Sequence, residues 1–194
     1  MRPLIGLALL AAPSAAIAAC PTANDLSTGI RFEVSGGDAE VFTTFGESSL
    51  QSIYFIGDDP VTRVLLARGL YLLEVVDIDE SGALDLATRS TYAYAMPPGE
   101  LPLPKAGSTY SAEYVLTENG QPSSETELYS FGQETGVSFG ACEYAAIPID
   151  VRYGNGDIDE LMWLPELGLS YLTRSIYDGG DDRYYYLSIS IEAP

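Results

Sequence analysis

Apolar and polar residues alternate with period two through most of the chain beyond residue 29, and glycine, asparagine or aspartate interrupts the alternation at short intervals. In "GIRFEVS", Ile30, Phe32 and Val34 fall on one face while Arg31, Glu33 and Ser35 take the other. In "RYYYLSISIEA", Leu187, Ile189 and Ile191 form the apolar set, alternating with Tyr186, Ser188 and Ser190. The runs "EVFTTF", "SIYFI", "TRVLLA", "LYLLEVVDI", "STYAYAM", "TYSAEYVLT", "ETELYSF", "IPIDVRY", "DELMWL" and "LSYLTRSIY" read as strands too. Only "PTANDLS" suggests a short helix.

The punctuation predicts antiparallel pairing. Gly36-Gly37, Asn119-Gly120 and Asn155-Gly156 each sit between strand-like runs, where a tight hairpin wants positive φ at both central residues. Glu80-Ser81-Gly82 supplies a fourth turn. Hairpins in series make a meander, so the expected fold is all-β with few or no helices: an antiparallel meander forming a half-barrel or a β-sandwich. "MPPGELPLPKAG" cannot pair inside a sheet and reads as a long connection within one domain spanning 20–194.

The N-terminal segment changes the setting. Residues 1–19 carry one early charge, Arg2, then an apolar run, then small residues, the order of a removable secretory signal. The run is too short for a membrane span and is broken by Pro13, and no later segment is apolar for long enough. The expected location is therefore periplasmic or secreted. With 28 acidic against 9 basic residues and a formal charge of −19, the surface repels nucleic acid and anionic lipid.

Two segments, "LPLPKAGSTY" and "WLPELGLSYL", bring Pro104, Gly107 and Tyr110, then Trp163, Pro165, Glu166 and Gly168, into a familiar order. Over residues 101–175 the chain resembles periplasmic β-rich half-barrel domains related to lipoprotein carriers, and their uncharacterised exported relatives. The resemblance implies a curved antiparallel sheet enclosing an apolar groove. It transfers no catalytic residue.

Cys20 and Cys142 are the two cysteines. "IAAC" satisfies a lipobox, so one reading has Cys20 acylated and the protein anchored at the outer membrane. That would strand Cys142 as a lone thiol in an oxidising compartment, whereas a Cys20–Cys142 disulfide accounts for both.

Candidate chemistry is sparse. In "DIDESGALD", Asp77, Asp79, Ser81 and Asp85 match the first, third, fifth and ninth positions of a calcium loop, but Thr88 stands where the bidentate glutamate belongs. An acidic hairpin turn explains the same letters, so no cofactor or metal is assigned. Asp178, Asp181 and Asp182 are read as a solvated turn. Without histidine there is no Ser-His-Asp or Cys-His arrangement, and no catalytic residue is named. Tyrosines such as Tyr92, Tyr94, Tyr184, Tyr185 and Tyr186 are expected to pack sheets, with Trp163 as the rim of a ligand groove. The functional expectation is a non-enzymatic binding or interaction protein with an apolar or aromatic groove, taking a small apolar molecule or a protein. The alternatives are an outer-membrane lipoprotein with a structural or assembly role, and a carboxylate-based hydrolase.

Overall fold

A computed structural model describes residues 19–192; the signal segment expected over 1–19 falls almost wholly outside the described residues. After a 3-10 turn at Ala23–Ser27 come β1 (Ile30–Val34), β2 (Asp38–Phe45), β3 (Ser49–Ile56), β4 (Asp59–Ala67), β5 (Tyr71–Ile78), β6 (Leu84–Tyr94) and β7 (Thr109–Glu118). Then follow β8 (Gln121–Phe131), β9 (Thr135–Phe139), β10 (Cys142–Tyr153), β11 (Ile158–Leu164), β12 (Leu169–Tyr177), β13 (Gly180–Arg183) and β14 (Tyr186–Ile191). Every pairing is antiparallel, as the turn chemistry predicts.

Along the sheet the order is β13-β12-β11-β10-β8-β7-β6-β5-β4-β3-β2-β1-β14, with β9 pairing the first half of β10. The two end strands are thus consecutive in the chain, separated by Tyr184 and Tyr185 alone. Tyr184 N–H donates to Thr173 O on β12 at 3.0 Å, and Ser35 N–H donates to Tyr185 O at 2.8 Å. One segment, Gly180–Ile191, therefore pairs β12 with its first half and β1 with its second, and the single sheet curls until its ends meet. This is the curved-sheet alternative rather than a two-sheet sandwich.

In a meander, alternate turns fall at the same end. One end carries the β1–β2, β3–β4, β5–β6, β7–β8, β10–β11 and β12–β13 turns, with acids such as Asp58, Glu80, Asp157 and Asp178. The opposite end is closed. There the β4–β5 turn meets the β11–β12 turn so tightly that a Cβ on Gly69 would stand 2.2 Å from Gly168 O. Ser170 donates to Gly69 O through both N–H and Oγ, each at 2.8 Å. The proline-rich connection covers the same end, where Tyr71 Oη donates to Pro102 O at 2.6 Å and Leu101 is buried. Phe139, on the β9–β10 hairpin, completes the plug by packing edge-on against Phe32 at 5.2 Å and Tyr171 at 5.5 Å.

The N-terminal segment is fastened to that plug. The sulfurs of Cys20 and Cys142 stand 2.07 Å apart, at bonding distance, and join positions 122 residues apart. Tyr144 Oη donates to Pro21 O at 2.9 Å, and Leu26 is buried among Ile30, Leu164 and Leu167.

Two local expectations fail for physical reasons. In β14, Tyr186 pairs with Val34 while Ser188 pairs with Glu33, so Leu187 is an unpaired bulge residue. The bulge leaves Leu187 57% exposed while Ile189 is buried, so the two leucine and isoleucine side chains do not share a face. At the β10–β11 turn Gly156 has φ +97°, whereas Asn155 does not enter the positive region. Its side chain instead accepts from Asp157 N–H at 3.0 Å, which makes an Asx-stabilised turn longer than a two-residue hairpin.

Candidate functional site

Between the curled walls lies a cavity of about 290 Å³, just below the usual range of about 300–1,000 Å³ for small-molecule sites. Its deep part is apolar. Leu66 and Leu70 come from the end of β4 and the turn after it, Leu72 from β5 and Leu172 from β12, with Val64 above them, while Val151 on β10 pairs with Asp159 and lies at the level of the carboxylates. Its outer part, nearer the acid-bearing turns, is built by tyrosines and carboxylates: Tyr54, Tyr153, Tyr184 and Tyr186 with Glu40 and Asp159. Among the described residues no lysine or arginine lines it.

Strand periodicity positions these groups. Glu40 stands two residues before the fully buried Phe42 on β2, and Asp159 two before Leu161 on β11. Both acids occupy the phase that elsewhere on their strands carries apolar side chains. Each is held by hydroxyls. Glu40 Oε1 accepts from Ser52 Oγ, and Glu40 Oε2 accepts from Tyr186 Oη at 2.5 Å. Asp159 Oδ2 accepts from Tyr153 Oη at 2.8 Å, and its Oδ1 from Ser175 Oγ at 2.6 Å. Although part of Glu40 borders the cavity, burial raises its carboxyl above the usual carboxylate range, against the lowering effect of the Ser52 and Tyr186 hydroxyls.

Tyr54 and Tyr184 meet edge to face at 6.1 Å, and Tyr54 Oη donates to Asp38 Oδ2 at 2.9 Å. Burial raises the Tyr184 phenol, and the charges of Asp182, Asp159 and Glu40 add to it. Tyr184 therefore stands in the field of both cavity carboxylates. In the wall of the cavity, Tyr129, which lines it, donates to Glu127 Oε1 at 2.8 Å, and Tyr94 donates to the same oxygen at 2.7 Å. Glu127 is 1% exposed, and its Oε2 has no partner among the described residues.

Trp163 does not border this cavity. It shares the cavity-facing phase of β11, but two residues beyond Leu161, where it is buried among Ala67, Leu70 and Ile147. The walls are tyrosine instead. The calcium-loop residues spread along the β5–β6 ladder, with Asp77 opposite Asp85. Asp79 Oδ1 accepts from Ser81 N–H at 2.8 Å, Ser81 Oγ at 2.6 Å and Ala83 N–H at 3.1 Å, and so organises the turn. Thr88 Oγ1 accepts from Asp77 N–H at 2.9 Å. Asp181 accepts from Arg174 Nε at 2.7 Å and Arg183 Nε at 2.9 Å. Among the described residues no three His, Cys, Asp or Glu side chains converge as metal ligands would.

No protein family description matches the chain, and no curated protein matches it. Among solved structures, the crystal structure of the hypothetical lipoprotein YmcC from Escherichia coli (K12) is similar, with a TM-score of 0.45 and 11% identity. The similarity covers 89% of this chain and 90% of that one. The similarity gives no residue of this chain a role.

Proposed function

We propose that this is an exported, non-enzymatic binding protein that holds a small, largely apolar molecule inside its curled sheet. The cavity carries the reading: an apolar interior, closed at one end by the Gly69–Gly168 contact and the Phe139 plug, and ringed by tyrosine at the other. Such a shape buries apolar ligand surface while a few polar groups fix orientation. The disulfide-distance pair Cys20–Cys142 supports export and an unanchored mature chain, because a sulfur in that bond cannot also carry a lipid thioether.

Native and denaturing mass spectrometry of protein matured in a Gram-negative periplasm tests this. The expected result is an unacylated, bridged chain that carries a small molecule in the native spectrum, or, once emptied by unfolding and refolding, lights up the neutral probe N-phenyl-1-naphthylamine. Empty protein that leaves the probe dark overturns the cavity reading; an acyl mass on Cys20 with a free Cys142 thiol overturns the unanchored one.

One observation favours a carboxylate-based hydrolase: Glu40 and Asp159 border one cavity. The apolar walls and the commitment of all four carboxylate oxygens to hydroxyl donors support binding instead. A hydrolase would cleave a panel of nitrophenyl glycosides and lose that turnover in Glu40→Gln and in Asp159→Asn.

A further inference from the structure

The cavity is asymmetric in charge as well as polarity, and this asymmetry selects among apolar molecules. Its outer half holds the carboxylates of Glu40 and Asp159 among tyrosine side chains, and among the described residues no basic side chain lines any part of it. A carboxylate offers about four acceptor positions. Glu40 and Asp159 each use two of theirs on hydroxyl donors, which leaves both able to accept further donors from within the cavity. The phenol rings of Tyr54, Tyr184 and Tyr186 border the same region, and an aromatic face attracts a cation. Outside, the turns at this end carry acids, and the chain as a whole bears −19, so the approach favours positive charge. A fatty acid or other anionic amphiphile would set its own charge against Asp159, and against Glu40 when that carboxyl is ionised, with no basic lining side chain among the described residues to balance it.

We infer that the occupant is a small organic cation: a monoamine whose ammonium group sits at the outer end between Glu40 and Asp159 while its apolar tail runs inward towards Leu66, Leu70 and Leu72. The inference rests on the binding reading above and names the ligand class. The ammonium supplies three donors, and the two carboxylates offer the acceptors that the hydroxyls leave open. Placed there, the charge also lies beside Tyr184, which the fields of both acids already reach. The tail replaces water against aliphatic walls.

Three eight-carbon probes of matched length, octylamine, 1-octanol and octanoate, separate charge from apolar fit by calorimetric titration at about 0.15 M salt, where surface charges are well screened. Octylamine is expected to bind once per chain, about tenfold or more tighter than 1-octanol, with octanoate weakest. Glu40→Gln and Asp159→Asn should each bring octylamine down towards 1-octanol. Attraction to the acidic surface would survive either substitution, because each removes one of 28 acids. Octanoate binding as tightly as octylamine, or an amine preference that persists in both variants, overturns the charge assignment and leaves the cavity reading standing. If none of the three probes binds, the cavity reading falls and this inference with it. The comparison on the unsubstituted protein decides the question even if a variant fails to fold.

Discussion

Glu127 and Glu74 are two buried acids with opposite surroundings. Glu74, 6% exposed, lies between the guanidiniums of Arg63 and Arg89. Among the described residues Glu127 has only the phenols of Tyr94 and Tyr129, both on Oε1. Burial pushes the Glu127 carboxyl above its ordinary value of 4.5, although both phenols act to lower it. Below about pH 4.5 the group is neutral whether the chain is folded or unfolded. As pH rises the unfolded chain ionises first and the folded protein holds its proton, so stability falls until the pH passes the raised folded value. Glu127→Gln cannot ionise, so urea titrations across the acid-to-neutral range should show it gaining on the unsubstituted protein as pH rises, then holding a constant advantage. Parallel curves would mean the carboxyl is not perturbed. These acids were open to view in the sequence: Glu40, Glu127 and Asp159 each stand two residues before an apolar or aromatic residue of the buried phase, in "EVF", "ELY" and "DEL". The surplus of surface acids masks them, because a buried carboxylate is uncommon unless hydroxyls or cations hold it.

At the scale of the element, β14 shows what alternation can and cannot convey. Leu187, Ile189 and Ile191 keep perfect period two, yet the bulge opposite Glu33–Val34 turns Leu187 outward and Tyr186 inward, where its hydroxyl meets Glu40. Chemical denaturation should find Leu187→Ser within about 0.5 kcal/mol of the unsubstituted protein. Ile189→Ala, at 9% exposure, should cost about 2–5 kcal/mol. Equal losses would restore the unbroken strand. The hairpins themselves were legible because turns demand local residues: Asn119 and Gly120 have φ +51° and +73°, the pair a two-residue connection requires. The bulge was not, since the three tyrosines of "RYYYL" have no phase of their own and a distant carboxylate decides which one faces inward. The contact of Gly69 with Gly168 was equally hidden, because it joins two turns about a hundred residues apart in the sequence and neither turn alone shows why it must be bare.

For the molecule as a whole, the covalent tie and the sheet's curvature act on the same end. Cys20 and Cys142 close most of the chain into one loop, and a loop of about a hundred residues stabilises by about 4.7 kcal/mol in the chain-entropy account. The double variant Cys20→Ala, Cys142→Ala should lose unfolding free energy of about that size in urea, and limited proteolysis should then cut near the Ala23–Ser27 turn before the strands. Retained stability with an uncut N-terminus would show that the burial of Leu26 holds the segment without the sulfurs.

The meeting of both sheet ends on Gly180–Ile191 also fixes an order of events. During synthesis that segment follows every other described strand, so until it arrives both β1 and β12 show a bare row of backbone donors and acceptors. A half-made chain therefore has two adhesive margins, the hazard that edge strands present in any nascent sheet. Drawing Ile30 to Ile191 and Arg174 to Arg183 in one stroke seals both, and joins the first strand to the last across nearly the whole length of the domain. Pairings so distant in sequence form slowly. A chain delivered unfolded across a membrane would thus depend on a chaperone, or on its own mutual repulsion at −19, to stay unclumped until Gly180–Ile191 zips the wall shut.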